Sequence, residues 1–419
     1  MLLRLMLRHV VRQGLLTVVE ASGKTWSVGT ADGGGNGVTI RLNDSKIGRE
    51  IALNPHLHFG EGYMDGRFTI VDGDAWDLLD LLGRNVGTGY GTGLARLLAA
   101  ARRLTRRVQQ YNPAGRARAN VAHHYDLDGG LYDLFLDTDR QYSCAYFETP
   151  DASLDAAQLA KKRHIAAKLA LAPGQRVLDI GSGWGGLGLY LANMEDVDVT
   201  GVTLSTEQHT LSSARALRQG LEDRVRFRLA DYRDLAPSFD RIVSVGMFEH
   251  VGVGHYQEYF DQVSRLLSED GVALVHSIGR MDGPGTTNPW IAKYIFPGGY
   301  IPALSEVLPA VERAGLFVTD IEILRLHYAE TLRHWRERFM ANRDRAVALY
   351  DERFCRMWEF YLAASEASFR HMGMMVFQVQ LAKKADALPI TRSYMARAET
   401  SLAEREKTRA QAIPPKLRA

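Results

Sequence analysis

The sequence of 419 residues has few cysteines, no long apolar run and no excess of charge of one sign. Its two cysteines, Cys144 and Cys355, exclude a disulfide framework and suit a reducing cytoplasm. No uninterrupted apolar stretch reaches the roughly 20 residues needed to cross a bilayer, so we predict no transmembrane segment. The 51 lysines and arginines nearly balance the 49 aspartates and glutamates, and this balance argues against nucleic acid as the partner.

The sequence does contain enough residues for two domains, because a single core usually stops growing well below this length. Residues 1–110 mix strand-like pieces with glycine-rich turns and predict a smaller α+β domain, followed by a linker at 111–122. Residues 123–398 alternate apolar strands with helices, which predicts an α/β domain whose mostly parallel sheet is covered by helices on both faces. Its strand candidates are 176–180, 197–204, 225–229, 241–246, 272–278 and 317–326. The charged residues 399–419 are predicted to be a flexible tail.

Two basic segments of the smaller domain have alternative interpretations. In residues 1–16, Arg4, Arg8 and Arg12 share one face of an amphipathic helix, which either docks on its own domain or lies on an anionic lipid surface. Residues 93–108 predict a helix that carries five arginines. That helix is either a solvated face or an arm that faces phospholipid headgroups.

The sharpest local signal is the glycine-rich turn of residues 177–186, which lies between an apolar strand and a helix. The turn satisfies the dinucleotide pattern G-x-G-x-x-G, but residues 202–205 read VTLS where a dinucleotide site expects an acidic residue. Asp179 stands immediately before the glycines, where its carboxylate would repel a pyrophosphate and support a cationic amino-acid group. We therefore predict S-adenosylmethionine as the cofactor, with a nicotinamide cofactor or a purely structural glycine turn as alternatives.

Further motifs follow in order along the chain. They are residues 120–126 (NVAHHYD), 141–147 (QYSCAYF), 202–208 (VTLSTEQ), 247–252 (MFEHVG), 296–300 (FPGGY) and 327–332 (HYAETL). In this combination the sequence resembles the cyclopropane fatty acid synthases, including the mycolic acid cyclopropane synthases. The resemblance implies a Rossmann-like class I S-adenosylmethionine-dependent methyltransferase domain. Residues 60–66 (GEGYMDG) are similar to the lipid-engaging domain of longer, bacterial-type members.

The resemblance also implies the residues of two sites. The predicted cofactor-binding residues are Tyr142, Ser143, Asp179, Gly181, Gly183, Thr203, Leu204, Gln208, Asp231 and Tyr232. The predicted catalytic residues hold a bicarbonate ion that acts as the base, and they are Cys144, Glu249, His276, Ile278 through its backbone, and Tyr328. The sequence departs from the family at Asp231 and Tyr232, where Gly-Trp is common, and at Ser365, which replaces a frequent cysteine.

The implied activity is that of a cyclopropane-fatty-acyl-phospholipid synthase. A methyl group is transferred from the sulfonium to a cis double bond, and the resulting carbocation closes to a ring when the new methyl loses a proton. Glu249 either orients His276 or shares a proton with the anion. The implied partners are unsaturated phospholipid acyl chains. We further expect a homodimer that is cytoplasmic and peripherally associated with the membrane.

Three alternative functions are open from the sequence. The nearest is a fatty acyl C-methyltransferase that gives a methyl-branched or methylene product, because relatives of that type share most of these motifs. A noncatalytic lipid-binding protein would be expected to have lost Glu249 or the glycine turn, and both are present. A methyltransferase of small molecules or nucleic acid would not need the motifs around Cys144 and Tyr328.

Overall fold

The computed structural model describes residues 2–30, 37–87, 129–236 and 238–412. Several sequence-based predictions lie outside these ranges: the arginine-rich helix at 93–108, the linker at 111–122, and the whole 120–126 motif. Among the described residues, no helix combines the length and the apolar character that crossing a membrane requires.

The first 87 residues form a sheet with helices packed against it. Its elements are α1 (Leu2–Val10), β1 (Gly14–Val19), β2 (Thr25–Thr30), β3 (Val38–Leu42), α2 (Ile47–Leu53), α3 (Pro55–Met64), β4 (Phe68–Asp72) and α4 (Ala75–Val86). The strand order is β2-β1-β3-β4, with β1 parallel to β3 and the other neighbours antiparallel. Leu3 and Leu7 of α1 are buried in the core of this sheet. The docking interpretation of the first helix is therefore confirmed, and its contact with lipid stays a prediction.

The larger part of the chain follows from residue 129. Its elements are α5 (Gly129–Asp133), α6 (Leu154–Leu169), β5 (Arg176–Ile180), α7 (Gly186–Met194), β6 (Asp198–Thr203), α8 (Thr206–Arg218), β7 (Val225–Leu229), β8 (Phe239–Val245), α9 (Tyr256–Leu266), β9 (Leu267–Arg280), α10 (Pro289–Tyr294), α11 (Leu304–Arg313), β10 (Phe317–Ile323), α12 (His327–Ala341), α13 (Arg343–Leu349), α14 (Glu352–His371), β11 (Met374–Ala382) and α15 (Ser393–Ala412).

These strands form a mostly parallel sheet in the order β10-β11-β9-β8-β5-β6-β7, which has seven strands among the described residues. Strands β5 to β9 are mutually parallel, whereas β11 pairs antiparallel with both β9 and β10. Side chains of this sheet contribute to three buried apolar clusters. The predicted fold class is confirmed: an α/β domain with a mostly parallel sheet is preceded by a smaller α+β part.

All six predicted strands of the sheet are present, but the sequence-based assignment omitted β11. This strand reads MMVFQVQLA, and its residues 375–382 are all buried. Two glutamines, Gln378 and Gln380, interrupt its apolar pattern. Both are buried because each finds a polar partner inside the protein.

The prediction of a flexible tail at 399–419 is wrong for residues 399–412, which belong to α15. This helix packs against α6, and its Leu402 is buried. Glu406 binds Arg163, and Glu399 binds His164, so the acidic residues that suggested a solvated tail meet buried basic groups. These partners could not be predicted from the local sequence, because they lie more than 200 residues earlier in the chain.

The motif at residues 60–66 lies where the smaller part packs on the larger one. Gly60 faces the indole of Trp290, where a side chain's Cβ would lie 2.6 Å from the ring nitrogen Nε1. Glu61 accepts hydrogen bonds from Lys293 Nζ at 2.7 Å and from the Tyr294 hydroxyl at 2.8 Å. The contacts of this motif therefore join the two parts, and lipid engagement by the smaller part stays a prediction.

Candidate active site

A glycine-rich turn joins the end of β5 to the start of α7. Gly181 and Gly183 have φ angles of +79° and +54°, in the left-handed region that favours glycine. Gly186 follows at the start of α7, where a Cβ would lie 2.3 Å from Gln141 Nε2 and 2.4 Å from Asp139 Oδ2. The backbone of the turn therefore packs closely against the segment that precedes Cys144.

All ten predicted cofactor-binding residues line one cavity at the carboxyl ends of the parallel strands. This is the edge at which open α/β sheets bind their ligands. The sequence-based set missed further lining residues, which include Arg140, Gln141, Lys161, Gly246, Met247 and His250. Gly246 and Met247 directly follow β8, so their position after a strand was a usable signal. No pattern in the sequence identified Lys161.

Asp179 supplies a buried carboxylate to this cavity. Its side chain is 2% exposed, and its Oδ2 atom has no hydrogen-bond partner among the described residues. Burial raises the pKa of Asp179 to about 7, against a smaller opposite effect of the nearby Lys161 charge. A cationic group in the cavity would stabilise the ionised form, so these residues fit the ammonium of a bound S-adenosylmethionine.

Helix α6 holds the segment that carries Tyr142 and Ser143. Gln158 donates hydrogen bonds to the backbone carbonyls of Gln141 and Ser143, at 3.2 and 2.9 Å. Lys161 Nζ donates to Gln141 Oε1 at 2.6 Å and to Ser143 Oγ at 2.9 Å. Both donors are buried, and burial lowers the pKa of Lys161 to about 8. Two polar side chains one helical turn apart thus fix both the backbone and the side chains of this segment.

The opposite wall of the cavity is held by local hydrogen bonds. Thr203 Oγ1 donates to Gln208 Oε1 at 2.8 Å, and the Ser205 side chain caps α8. Asp231 accepts two hydrogen bonds from the Arg233 guanidinium, at 2.9 and 2.7 Å. Asp231, one of the predicted cofactor-binding residues, is therefore already paired with an arginine, which leaves its carboxylate fewer acceptor positions for a ligand.

Glu249 and Ile278, two of the five predicted catalytic residues, are in direct contact. Glu249 Oε1 accepts the Ile278 backbone N–H at 2.7 Å, whereas Oε2 has no hydrogen-bond partner among the described residues. Burial raises the pKa of Glu249 to about 7, which makes its protonated and ionised forms comparable near neutral pH. An anion at this site would have to share the Ile278 N–H with this carboxylate.

Cys144 and Tyr328 both neighbour Thr331 of α12. The Cys144 thiol donates to the Ala145 carbonyl at 3.3 Å, and the Thr331 hydroxyl accepts the backbone N–H of Ala145 at 3.0 Å. Tyr328 lies one helical turn before Thr331. Burial raises the pKa of the Cys144 thiol, so it is a neutral donor and a poor nucleophile.

His276 is bound by a glutamine of the strand that the sequence analysis omitted. Its Nδ1 atom lies 3.1 Å from Gln378 Nε2, and its side chain is 2% exposed. Burial lowers the pKa of His276 to about 3, aided by the charges of Lys161 and Lys168, so the imidazole is neutral. Because Gln378 binds His276 and Ile278 binds Glu249, the geometry favours the alternative in which Glu249 shares a proton with an anion.

None of the five predicted catalytic residues belongs to the lining of this cavity, but chain neighbours of Cys144 and Glu249 do. Ser143 precedes Cys144, and Met247 and His250 flank Glu249 on the lining. Cys144 and Glu249 therefore lie directly behind the cavity wall, and Ile278 contacts Glu249.

Aromatic rings surround Tyr142 on the side of the cavity that faces α12 and α14. Its hydroxyl lies 3.0 Å from that of Tyr361, and its ring centroid lies 5.1 Å from that of Trp335 and 5.5 Å from that of Tyr132. Ring faces of this kind attract a positive charge through their quadrupoles.

A family model, related sequences and solved structures all indicate the same protein family. The family model described as mycolic acid cyclopropane synthetase matches residues 113–379. The chain is 39% identical over 356 residues to the cyclopropane-fatty-acyl-phospholipid synthase of Escherichia coli K12, covering 84% of this chain and 89% of that protein. It is 36% identical over 395 residues to the tuberculostearic acid methyltransferase of Mycobacterium tuberculosis, covering 90% of each.

Solved structures agree with the sequence comparisons. The cyclopropane synthase MmaA2 of M. tuberculosis aligns with a TM-score of 0.61 and 34% identity, covering 65% of this chain and 99% of that one. The mycolic acid cyclopropane synthase CmaA1 in complex with SAH and CTAB aligns with a TM-score of 0.60 and 35% identity, with the same coverage.

Proposed function

Because the chain belongs to the mycolic acid cyclopropane synthetase family and is an S-adenosylmethionine-dependent methyltransferase, we propose that it is a cyclopropane-fatty-acyl-phospholipid synthase. The substrate is then the cis double bond of an unsaturated phospholipid acyl chain. The observation that carries the proposal is Glu249, a buried carboxylate with one uncommitted oxygen directly behind the cofactor cavity.

The cofactor site consists of the ten lining residues predicted from the sequence, and the segment with Tyr142 and Ser143 is held by α6. When bound, S-adenosylmethionine supplies an electrophilic methyl group. Asp179 offers its free Oδ2 atom to the ammonium of the methionine part. The close packing of Gly186 against Gln141 and Asp139 keeps the glycine turn in place. The residues of this chain therefore orient the cofactor and supply a negative charge to its ammonium group.

The acyl chain becomes positively charged once an alkene carbon is methylated, and the surrounding side chains must tolerate that charge. Tyr142 lines the cavity, and the buried rings of Trp335 and Tyr361 pack beside it. Aromatic rings in such a cluster can stabilise a cation, and their apolar surface excludes water. Exclusion of water matters because hydration of the cation would give an alcohol in place of a ring. The half-buried Ser365, on the same helix as Tyr361, is a further candidate for this pocket.

Ring closure needs a proton acceptor, for which we propose a bicarbonate ion bound behind the cavity. Bicarbonate supplies a small oxyanion of suitable basicity. Cys144, Tyr328 and neutral His276 are donors that such an anion can use. Glu249, with a pKa of about 7, can be protonated toward the anion and can accept a proton afterwards. The residues present therefore fit the anion.

A methylene or methyl-branched product is the alternative, because one relative is named for a reaction of that kind. The M. tuberculosis relative covering 90% of this chain is a tuberculostearic acid methyltransferase. In the alternative function the cation loses a different proton, which leaves a methylene or a methyl-branched, still unsaturated acyl chain. The complete set of residues for the anion site favours ring closure.

Association with the membrane surface and assembly as a homodimer complete the proposal. Phospholipid acyl chains are reached from a bilayer, and the basic residues of the first helix are suited to anionic headgroups. We propose a cytoplasmic, peripherally bound enzyme whose smaller domain engages the lipid.

The test is to incubate the purified protein with S-adenosylmethionine and vesicles of an unsaturated phospholipid, and to analyse the acyl chains by mass spectrometry. The proposal predicts a gain of one CH₂ with loss of the double bond. A gain of one CH₂ with the unsaturation retained would support the alternative product, and no gain would contradict both.

A further inference from the structure

Three buried polar side chains form a row that ends at His276. Lys168 of α6 donates from Nζ to Gln378 Oε1 at 2.7 Å, and Gln378 Nε2 lies 3.1 Å from His276 Nδ1. Lys168 and Gln378 are each 1% exposed, and His276 is 2% exposed. The row crosses from the helix under the sheet, through β11, to β9.

The lysine fixes the orientation of the glutamine amide. An ammonium group has donors and no acceptor, so the amide atom that faces Lys168 must be the oxygen. Burial lowers the pKa of Lys168 from its ordinary value, and Glu322, which also binds Lys168 Nζ, opposes this shift with a counter-charge that favours the ammonium form. The amide NH₂ of Gln378 is consequently directed at His276.

The glutamine in turn fixes the proton of the histidine. An amide NH₂ can only donate, so His276 Nδ1 must accept and cannot carry a proton. A neutral imidazole has a single N–H, which is then on Nε2. The second ring nitrogen of His276 is thereby a hydrogen-bond donor.

We propose that Lys168 and Gln378 are positioning residues that hold His276 in its Nε2–H tautomer, so that this ring donates a hydrogen bond to the anion of the active site. The inference rests on the proposed function for the role of the anion, but the tautomer itself follows from the three side chains alone. With the opposite tautomer, an Nε2 lone pair would face the anion and repel it.

The first experiment needs no substitution. The protein is labelled with ¹⁵N-histidine, and its ring nitrogens are observed by long-range ¹H–¹⁵N correlation at about pH 8, where ordinary histidines are neutral. The His276 signals are those lost in the His276→Gln variant. We expect a protonated Nε2 and an unprotonated Nδ1, and the reverse pattern would overturn the proposal.

The second experiment replaces the hydrogen-bond donor at residue 378 with an acceptor. In Gln378→Glu the new carboxylate can pair with Lys168 but can only accept from His276, so Nδ1 must gain a proton. We expect the NMR pattern to invert and the turnover to fall by about 100-fold or more, as when an oxyanion loses a donor. Binding of S-adenosylhomocysteine should change by less than about twofold, because Gln378 does not line the cofactor cavity.

Gln380→Glu is the matched control. Gln380 lies two residues along the same strand, is also 1% exposed, and bonds Thr319, Tyr394 and the Lys168 carbonyl, with His276 not among these partners. It should suffer a comparable loss of stability with an unchanged His276 spectrum. Equal losses of turnover in the two variants would show that Lys168 and Gln378 have only a structural role, which would contradict the proposal.

If Gln378→Glu does not fold, Lys168→Met provides the second variant, since removal of the ammonium frees the amide to turn. Signals of both tautomers are then expected, and a single unchanged tautomer would contradict the role of Lys168. A parent protein that shows the predicted tautomer but forms no cyclopropane would refute the proposed function and leave the tautomer assignment intact.

Discussion

Replacement of Glu249 by glutamine is expected to stop product formation while making the folded protein more stable above neutral pH. The amide keeps an oxygen for the Ile278 N–H, which Glu249 now binds at 2.7 Å, so the local structure should persist. It cannot take up or release a proton, and loss of a general acid–base group typically costs about 10²- to 10⁴-fold in rate. Affinity for S-adenosylhomocysteine should stay within about twofold of the parent protein.

The stability gain follows from the pKa of Glu249. Burial raises this pKa from 4.5 to about 7, so the folded protein holds a proton that the unfolded chain has already released between those values. The free energy of unfolding therefore falls as pH rises from about 4.5 to 7, by about 3 kcal/mol at 1.36 kcal/mol per pKa unit. The glutamine side chain does not ionise, so the free energy of unfolding of this variant does not fall for this reason. The two proteins should match near pH 4 and differ most above pH 7.

Chemical denaturation at several pH values and calorimetric binding of S-adenosylhomocysteine provide the assay. Glu330→Gln is the control, because Glu330 is a partly buried carboxylate whose two oxygens bind Arg333 and Arg370, each at 2.8 Å. Burial tends to raise the pKa of Glu330, but the hydrogen bonds from the two guanidiniums outweigh it and hold the pKa below 4.5. That variant should therefore be less stable than the parent protein above about pH 4.5, because a neutral amide pairs less well with the guanidiniums. Retained turnover in Glu249→Gln, or a stability difference that is the same at all pH values, would refute the reasoning.

Three further predictions concern the cofactor cavity and the C-terminal helix. Because burial raises the pKa of Asp179 to about 7, affinity for S-adenosylmethionine should fall below that pH by up to about tenfold per unit, and Asp179→Asn should remove this dependence in calorimetric titrations. Gly186→Ala should weaken cofactor binding by about tenfold or more, because the added methyl meets two side-chain atoms within 2.4 Å, whereas Gly254→Ala, with no atom within 4 Å, should not. Truncation after residue 392 should cost about 3 kcal/mol or more by leaving Arg163 without Glu406, and an unchanged unfolding midpoint would contradict this.

The order of strands and helices could be predicted because apolar runs alternate regularly with helical periodicity after residue 123. Strand β11 was missed because Gln378 and Gln380 break its apolar pattern. The burial of each glutamine is explained by a hydrogen-bond partner on another element. The C-terminal helix was missed for the same reason. Its glutamates look solvated until α6 supplies Arg163 and His164.

The ten residues predicted to bind the cofactor line one cavity because they lie in motifs at the ends of strands, where the topology brings them together. Lys161 could not be found, since a lysine beside Lys162 in a helix suggests an exposed face and burial is set by tertiary packing. The hydrogen-bond partners were also beyond the sequence. That Glu249 binds the Ile278 N–H and His276 binds Gln378 depends on strand register, which no local pattern encodes.

The central claim is that a proton is removed from the methyl group that the cofactor delivers. It is tested most directly with S-adenosylmethionine carrying a fully deuterated methyl group and vesicles of an unsaturated phospholipid, followed by mass spectrometry of the released acyl chains. The account predicts a saturated ring that retains two of the three deuterium atoms. A product that retains all three, or one that still contains a double bond, would contradict it.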